Sequence, residues 1–351
     1  MSAPTPGRKS IHVLLVEDSA VIREYLAAAL GADPAIDVVG VAHDGVEAVE
    51  MAERLRPDVI LMDVHMPRMG GLEATREIMS RFPAPIVLIT ASFDRNETAA
   101  SFDILKAGAL TVLDKPGGLH DPATLDLVRT VKLMAEVQVV RRWPARPPRE
   151  APLSARNSLQ KIRLVAIGAS TGGPAALMEV LSQLKGTLTV PVVVVQHIAP
   201  GFTAGLAEWL SGQTSLAVRL ARDGEALRPG VVYLAPDGRD MAVGGDARVR
   251  LARGAADGFF PTVDHLFASV AEAYGPSALG VLLTGMGRDG GEGLRRMRAA
   301  GAATVAQDEA TSVVFGMPGE AVRLGAAEHV LPPVEIGRMI RALADRQGGH
   351  P

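Results

Sequence analysis

The sequence predicts an α/β protein built from two doubly wound parallel-sheet domains. Three observations carry that reading. Short, almost unbroken apolar runs recur through both halves, each followed by a stretch with helical apolar spacing. Runs such as 190–196 show no alternation, as expected of strands buried on both faces of a parallel sheet. The polar residues with chemical potential fall at the carboxyl ends of those runs, where open α/β sheets place their sites.

The first half begins with an apolar run at 11–16, and Glu17-Asp18-Ser19 follow it directly. Val21, Ile22, Tyr25, Leu26 and Leu30 then recur at helical spacing. The same alternation gives strands over 37–42, 59–62, 86–89 and 110–113, and helices over 46–55, 72–79, 97–106 and 122–140. Asp63, Thr90 and Asp114-Lys115-Pro116 close the third, fourth and fifth strands. Apolar periodicity then stops. Residues 141–158, which include Trp143, are rich in proline and arginine and read as an extended tether. The basic run there is short and broken by prolines, so it does not point to nucleic acid.

The second half opens on a β-type run from Ile162 that ends in Gly168-Ala169-Ser170-Thr171-Gly172-Gly173-Pro174. A helix over 175–184, a strand over 190–196 ending at His197, and a helix over 202–210 follow. Between 216 and 252, turn pairs at Asp223-Gly224, Pro229-Gly230, Asp237-Gly238 and Gly244-Gly245 separate short strands, which predicts an antiparallel β insertion. Thr262 is placed to cap a helix over 262–274. A strand over 278–283 runs into Thr284-Gly285-Met286-Gly287-Arg288-Asp289-Gly290-Gly291. A helix over 294–300, a strand over 303–307 and a helix over 333–343 complete the set.

Composition sets the outer limits. The 351 residues suit two domains, and 48% hydrophobic with only 4% aromatic content means aliphatic side chains fill both cores. A net charge of −3 gives no general attraction for nucleic acid. The absence of cysteine excludes disulfides, thiolate metal sites and a cysteine nucleophile, and fits a reducing compartment. The first ten residues lack the apolar core of a signal peptide, and no apolar run is long enough to span a bilayer. The expectation is a cytoplasmic protein with no membrane insertion.

Glu17, Asp18 and Asp63 converge at the ends of the first and third strands. Three carboxylates in one place repel one another unless a hard cation with oxygen ligands, such as Mg²⁺, neutralises them. Lys115 is placed to neutralise an added phosphoryl group and the Thr90 hydroxyl to hydrogen-bond it. Val16-Glu17-Asp18-Ser19, Leu61-Met62-Asp63-Val64-His65-Met66-Pro67 and Asp114-Lys115-Pro116 resemble the receiver domain of two-component response regulators, over residues 10–140. The resemblance implies a flavodoxin-like fold, phosphorylation of Asp63 by a sensor histidine kinase, Mg²⁺ on Glu17, Asp18 and Asp63, and phosphoryl sensing by Thr90 and Lys115. Two positions depart from that pattern. Glu17 stands where Asp is usual. Val112 stands where an aromatic switch residue is frequent, which argues against signalling by an aromatic flip.

Ser170, His197 and Asp289 stand at or just beyond three strand ends of the second half. A serine hydroxyl needs a base to take its proton, and that base needs an acid to orient it. The chain order Ser, His, Asp differs from that of α/β-hydrolases, so this would be a separate solution to the same chemistry. Backbone N–H groups at the glycine turns, that of Met286 among them, are candidates for an oxyanion hole. Gly285-x-Gly287-x-x-Gly290, with Asp308 and Glu309 downstream, formally matches a dinucleotide fingerprint. It comes late in the domain, where that fingerprint does not belong.

The serine segment, Val195-Gln196-His197-Ile198, Leu234-Ala235-Pro236, Leu283-Thr284-Gly285-Met286-Gly287-Arg288-Asp289-Gly290 and Val313-Val314-Phe315-Gly316-Met317-Pro318 resemble the catalytic domain of chemotaxis protein-glutamate methylesterases, here over 159–348. The resemblance implies a Rossmann-like domain that hydrolyses glutamyl γ-methyl esters on chemoreceptor cytoplasmic helices. Methanol is released, and many members also deamidate receptor glutamines. Ser170, His197 and Asp289 act in the positions of the family triad, Thr171 and Met286 assist at the oxyanion, and the esterase step needs no cofactor. Phe259-Phe260 and Asp240 depart from the family's usual residues, away from the triad. An unphosphorylated receiver is expected to cover the catalytic cleft. Two other readings share these motifs: a non-catalytic, phosphorylation-dependent signalling adaptor, and the same esterase serving a non-chemotaxis receptor array.

Overall fold

The structure is a computed structural model that describes residues 10–90, 95–117, 121–137, 162–186, 188–253 and 261–345. The tether over 141–158, with Trp143, and Phe259-Phe260 lie outside the described residues. The chain divides into two compact units, Met1–Pro144 and Ala145–Pro351.

In the first unit, strands β1 (Ile11–Val16), β2 (Ile36–Ala42), β3 (Val59–Asp63), β4 (Ile86–Thr90) and β5 (Thr111–Asp114) alternate with helices α1 (Ala20–Gly31), α2 (Gly45–Leu55), α3 (Gly71–Arg81), α4 (Arg95–Ala107) and α5 (Pro122–Met134). The sheet order is β2-β1-β3-β4-β5, all parallel. Every residue of β3 and β4 is buried, which accounts for their unbroken apolar runs. Local chemistry sets the helix starts. Asp44 accepts from the N–H groups of Val46 and Glu47 at α2, and Asp121 accepts from Ala123 N–H at α5.

Two expectations need adjusting. α1 buries Leu26, Ala29 and Leu30, whereas Val21 is 79% exposed because it lies in the first turn, off the buried face. The last helix ends at Met134 rather than at 140, and Ala135 caps it.

The second unit carries β6 (Leu164–Ala169), α6 (Gly173–Ser182), β7 (Val192–Gln196), α7 (Phe202–Thr214), β8 (Ala217–Leu220), β9 (Val231–Leu234), β10 (Arg239–Val243), β11 (Val249–Arg253), α8 (Val263–Tyr274), β12 (Ala278–Leu282), α9 (Gly291–Ala299), β13 (Ala303–Gln307), α10 (Met317–Arg323), β14 (His329–Leu331) and α11 (Pro333–Asp345). The main sheet has seven strands in the order β14-β13-β12-β6-β7-β9-β8. Its pairings are all parallel.

The antiparallel insertion is therefore smaller than the turn pattern predicts. Among the described strands only β10 and β11 pair antiparallel, with a single antiparallel bridge between Ala226 and Arg248, while β8 and β9 extend the main sheet. The connection between β8 and β9 is too long for a tight hairpin. It folds back against β11 instead, with Gly224 N–H donating to Val249 O and Leu227 N–H to Ala247 O.

The two sheets share one topological property. In the first, β1 lies between β2 on one side and β3 on the other; in the second, β6 lies between β7 and β12. The chain departs in opposite directions from each first strand, leaving a crevice at the carboxyl ends where ligands bind in such sheets. The chemistry-bearing residues of each unit lie there.

Candidate functional site

In the first unit, β1 delivers Glu17 and Asp18 and β3 ends on Asp63. Carboxylate oxygens of the three lie within 4.8 Å of one another. Lys115, one residue past β5, spans the group, with Nζ 2.9 Å from Glu17 Oε2 and 2.8 Å from Asp63 Oδ2. Burial, followed by the charge of Asp63, raises the Glu17 pKa. Burial also raises that of Asp63, against the opposing pull of Lys115. For Lys115 itself, burial opposes the charged form, but Asp63 and Glu17 prevail and raise its pKa.

Arg23 of α1 holds the acidic turn in place by donating to the carbonyls of Glu17 at 2.9 Å and Asp18 at 3.0 Å. Val64 N–H donates to Asp63 Oδ1 at 2.7 Å. Glu17 Oε2 is buried and faces the Lys115 ammonium. An all-oxygen donor set of three converging carboxylates, two of them buried, fits a hard divalent cation such as Mg²⁺. Thr90 is fully buried at the end of β4, and its carbonyl accepts from Lys115 N–H at 2.8 Å. All five residues singled out in the first half thus stand at this end of the sheet.

In the second unit, β6, β7 and the loop after β12 supply Ser170, His197 and Asp289. His197 Nε2 lies 3.0 Å from Asp289 Oδ2. The contact is an ion pair when the imidazole is protonated. With Nε2 on the acid, Nδ1 is the imidazole nitrogen that faces away from Asp289.

Asp289 has a second role that the sequence did not reveal. Its Oδ2 accepts Val263 N–H at 2.7 Å and its Oδ1 accepts Asp264 N–H at 2.9 Å, so it caps α8 from another segment. Burial raises the Asp289 pKa, but the contact with His197 and these two N–H donors outweigh it and the net shift is downward. The positive end of α8 acts in the same direction. Thr262, the expected cap, makes no such bond; its N–H and hydroxyl both donate to Asp240. The capping is mutual, since Asp264 accepts Gly293 N–H at 2.6 Å at the start of α9.

The serine turn is pinned from several sides. Ser170 N–H donates to Thr284 O at 3.0 Å and is thereby committed. Among the described residues, no acceptor takes the N–H groups of Thr171 and Met286. Thr284 Oγ1 donates toward Thr171 O at 3.0 Å, and Thr284 N–H donates to Oε1 of the buried Gln307 at 2.8 Å. Gln196 Nε2 donates to the carbonyls of Ser170 and His197 at 2.7 and 2.8 Å. Gly172 takes φ 77° at the turn into α6, and a Cβ there would meet Val313 at 2.6 Å. The Gly285–Gly291 segment is also occupied structurally: Gly285 N–H donates to Val314 O, and Gly285 O accepts from Gly316 and Met317. It lies between β12 and α9 of a late βαβ unit, and its backbone is committed to the 314–317 segment and to framing Asp289.

The response regulator receiver domain family matches residues 13–123, and the CheB methylesterase family matches residues 165–340. A protein-glutamate methylesterase/protein-glutamine glutaminase of Syntrophus aciditrophicus (strain SB) is 47% identical over 344 residues, spanning 95% of this chain and 98% of the relative. The chain belongs to the CheB methylesterase family. A second relative of the same description, from Myxococcus xanthus (strain DK1622), is 47% identical over 348 residues, spanning 97% of this methylesterase and 98% of its own length. The crystal structure of the Thermotoga maritima CheB methylesterase catalytic domain aligns with TM-score 0.50 and 36% identity, over 52% of this chain and 98% of that one. The methylesterase therefore joins a receiver to an esterase fold, as the two resemblances imply. Sequence reasoning missed Gln196, Gln307 and Arg23. A lone glutamine ending a run of valines, as at Gln196, is the one signal that was available.

Proposed function

We propose that this methylesterase hydrolyses glutamate γ-methyl esters on chemoreceptor cytoplasmic helices, with Ser170, His197 and Asp289 as its catalytic set. His197 Nδ1 takes the Ser170 hydroxyl proton as Oγ bonds to the ester carbonyl carbon. The carbonyl oxygen becomes an oxyanion that accepts hydrogen bonds from the N–H groups of Thr171 and Met286. The C–OCH₃ bond then breaks, and the proton held on His197 passes to the leaving oxygen, giving methanol. Water, deprotonated by the same nitrogen, attacks the acyl carbon; Ser170 regains its proton and glutamate is released. Asp289, held anionic, orients His197 and stabilises its charged form. Receptor glutamine enters the same sequence with ammonia as the leaving group.

The observation that carries this reading is the pairing of His197 with an anionic Asp289 across the crevice that begins at Ser170. A serine-directed fluorophosphonate should label Ser170 in the folded protein. Absence of label would favour a non-catalytic adaptor.

Control comes from the receiver. A sensor histidine kinase donates phosphate to Asp63. Glu17, Asp18 and Asp63 would hold Mg²⁺, which supplies charge neutralisation during phosphoryl transfer. Lys115 and Thr90 then contact the phosphoryl oxygens, and esterase activity rises. On this reading the receiver spans 10–140, the tether 141–158 and the catalytic domain 159–348, and the protein acts in the cytoplasm. Among the described residues no helix is long and apolar enough to cross a membrane. Acetyl phosphate with Mg²⁺ should raise the rate of the wild type and leave that of Asp63→Asn unchanged.

A further inference from the structure

We infer that Gln196 is a positioning residue that sets the spacing between Ser170 and His197; the inference rests on the reading that those two side chains act together. The two residues sit on neighbouring strands at the point where the ladder runs out. The last pair in register is Ala169 with Gln196, and His197 N–H still reaches Ala169 O at 2.9 Å. Past that rung, one side chain crosses between the strands. The planar amide of Gln196 directs its Nε2 to Ser170 O at 2.7 Å and to His197 O at 2.8 Å. Both protons of one rigid group are thus used on the two residues whose distance governs proton transfer.

The burial of Gln196 argues that these bonds are the reason it is there. It is 4% exposed and ends a strand of four valines, a place where an apolar side chain would pack without polar cost. Among the described residues no N–H or O–H group donates to its Oε1, so the site tolerates an unsatisfied acceptor in order to place the two donors.

Gly173 supplies independent support. It is the first residue of α6 and does not have positive φ, so its backbone does not require glycine. A Cβ there would lie 2.0 Å from Gln196 Oε1 and 2.8 Å from its Cδ. The helix therefore starts on a poor helix former because the amide occupies that space. The Gly173 Cα–H faces Oε1, a weak contact that partly offsets the missing donor.

The test uses the full-length protein and two substitutions. Gln196→Met keeps the volume and removes both donors. Gly173→Ala leaves the amide intact but displaces it. A shift of the serine against the imidazole by a fraction of an ångström should lower kcat for methanol release from methylated receptor by about a hundredfold. KM should change by less than about threefold, because the receptor surface is untouched. The rate of Ser170 labelling by fluorophosphonate should fall by the same factor as kcat. The double variant should be no worse than the poorer single one, since both act on one contact. Folded Gln196→Met with unchanged kcat and labelling rate would overturn the inference, as would losses that multiply in the double variant. If Gln196→Met does not fold, Gly173→Ala alone decides by the same kcat and labelling criteria. A wild type that neither releases methanol nor takes the label at Ser170 overturns the nucleophile reading as well. A wild type that labels normally beside an equally reactive Gln196→Met overturns only the role of Gln196.

Discussion

Asp289→Asn separates the two tasks that Asp289 performs. The carboxylate accepts N–H groups of Val263 and Asp264 at 2.7 and 2.9 Å and faces His197 Nε2 at 3.0 Å. Asparagine keeps one oxygen for a capping bond but sets an NH₂ group against either an N–H donor or the imidazole. Losing one cap bond costs about 1–2 kcal/mol. For a unit of this size that corresponds to a drop of roughly 2–8 °C in Tm. Asp289→Ala removes both bonds and should cost more than the asparagine variant. Activity should respond on a different scale, because either variant removes the charge that orients His197. By analogy with other serine triads the loss is on the order of 10⁴-fold in kcat. Differential scanning calorimetry and a methanol-release assay on the same samples would separate the two effects. An Asp289→Asn protein with kcat within tenfold of wild type would refute the orienting role. Equal melting points for the asparagine and alanine variants would refute the capping role.

Further outcomes follow from the same geometry. The Asp289 pKa is lowered in the fold, so its contribution to stability is present above the ordinary carboxylate range, about pH 4, and is lost as pH falls through the depressed value. The stability gap between wild type and Asp289→Asn should hold steady from pH 7 to 5 and shrink below about pH 4; a gap that widens in acid would contradict this. The pKa values of Glu17 and Asp63 are raised, so protons compete with a cation. Mg²⁺ affinity by isothermal titration should fall between pH 7.5 and 5.5, and an affinity independent of pH would argue against carboxylate ligation. Gly168→Ala would place a Cβ 2.2 Å from Val263 Cγ1, on the first residue of α8. The strain should cost about 1–3 kcal/mol and lower kcat by displacing the N–H group that Asp289 holds. A thermal melt and methanol release unchanged from wild type would contradict that.

Much of this molecule was legible because parallel sheets announce themselves. β3, β4, β6 and β7 are buried on both faces, so their sequences are almost purely apolar and their ends are marked by the first polar residue. Such ends are also where these folds put their chemistry, which is why Asp63, Thr90, Ser170 and His197, the residue after Gln196, stood out. What stayed hidden depends on partners distant in sequence. Glycine turns marked where the chain bends between 216 and 252, but a turn does not say whether the next strand pairs beside its predecessor or across the sheet, so β8 and β9 read as antiparallel. Thr262 has the right identity for a cap, yet Asp289, 26 residues beyond Val263, takes the N–H groups. β14 is three residues long, too short to show a period, and α10 is only seven. Gln196 looked like the last residue of a strand because its partners are backbone carbonyls, which carry no sequence signature.

The most direct test of the account is methanol release from purified methylated receptors by wild type and Ser170→Ala under identical phosphorylating conditions. The account predicts steady release by wild type and a loss of at least about a thousandfold in the alanine variant, with the fold retained. Ser170→Ala releasing methanol at a rate close to wild type would contradict it.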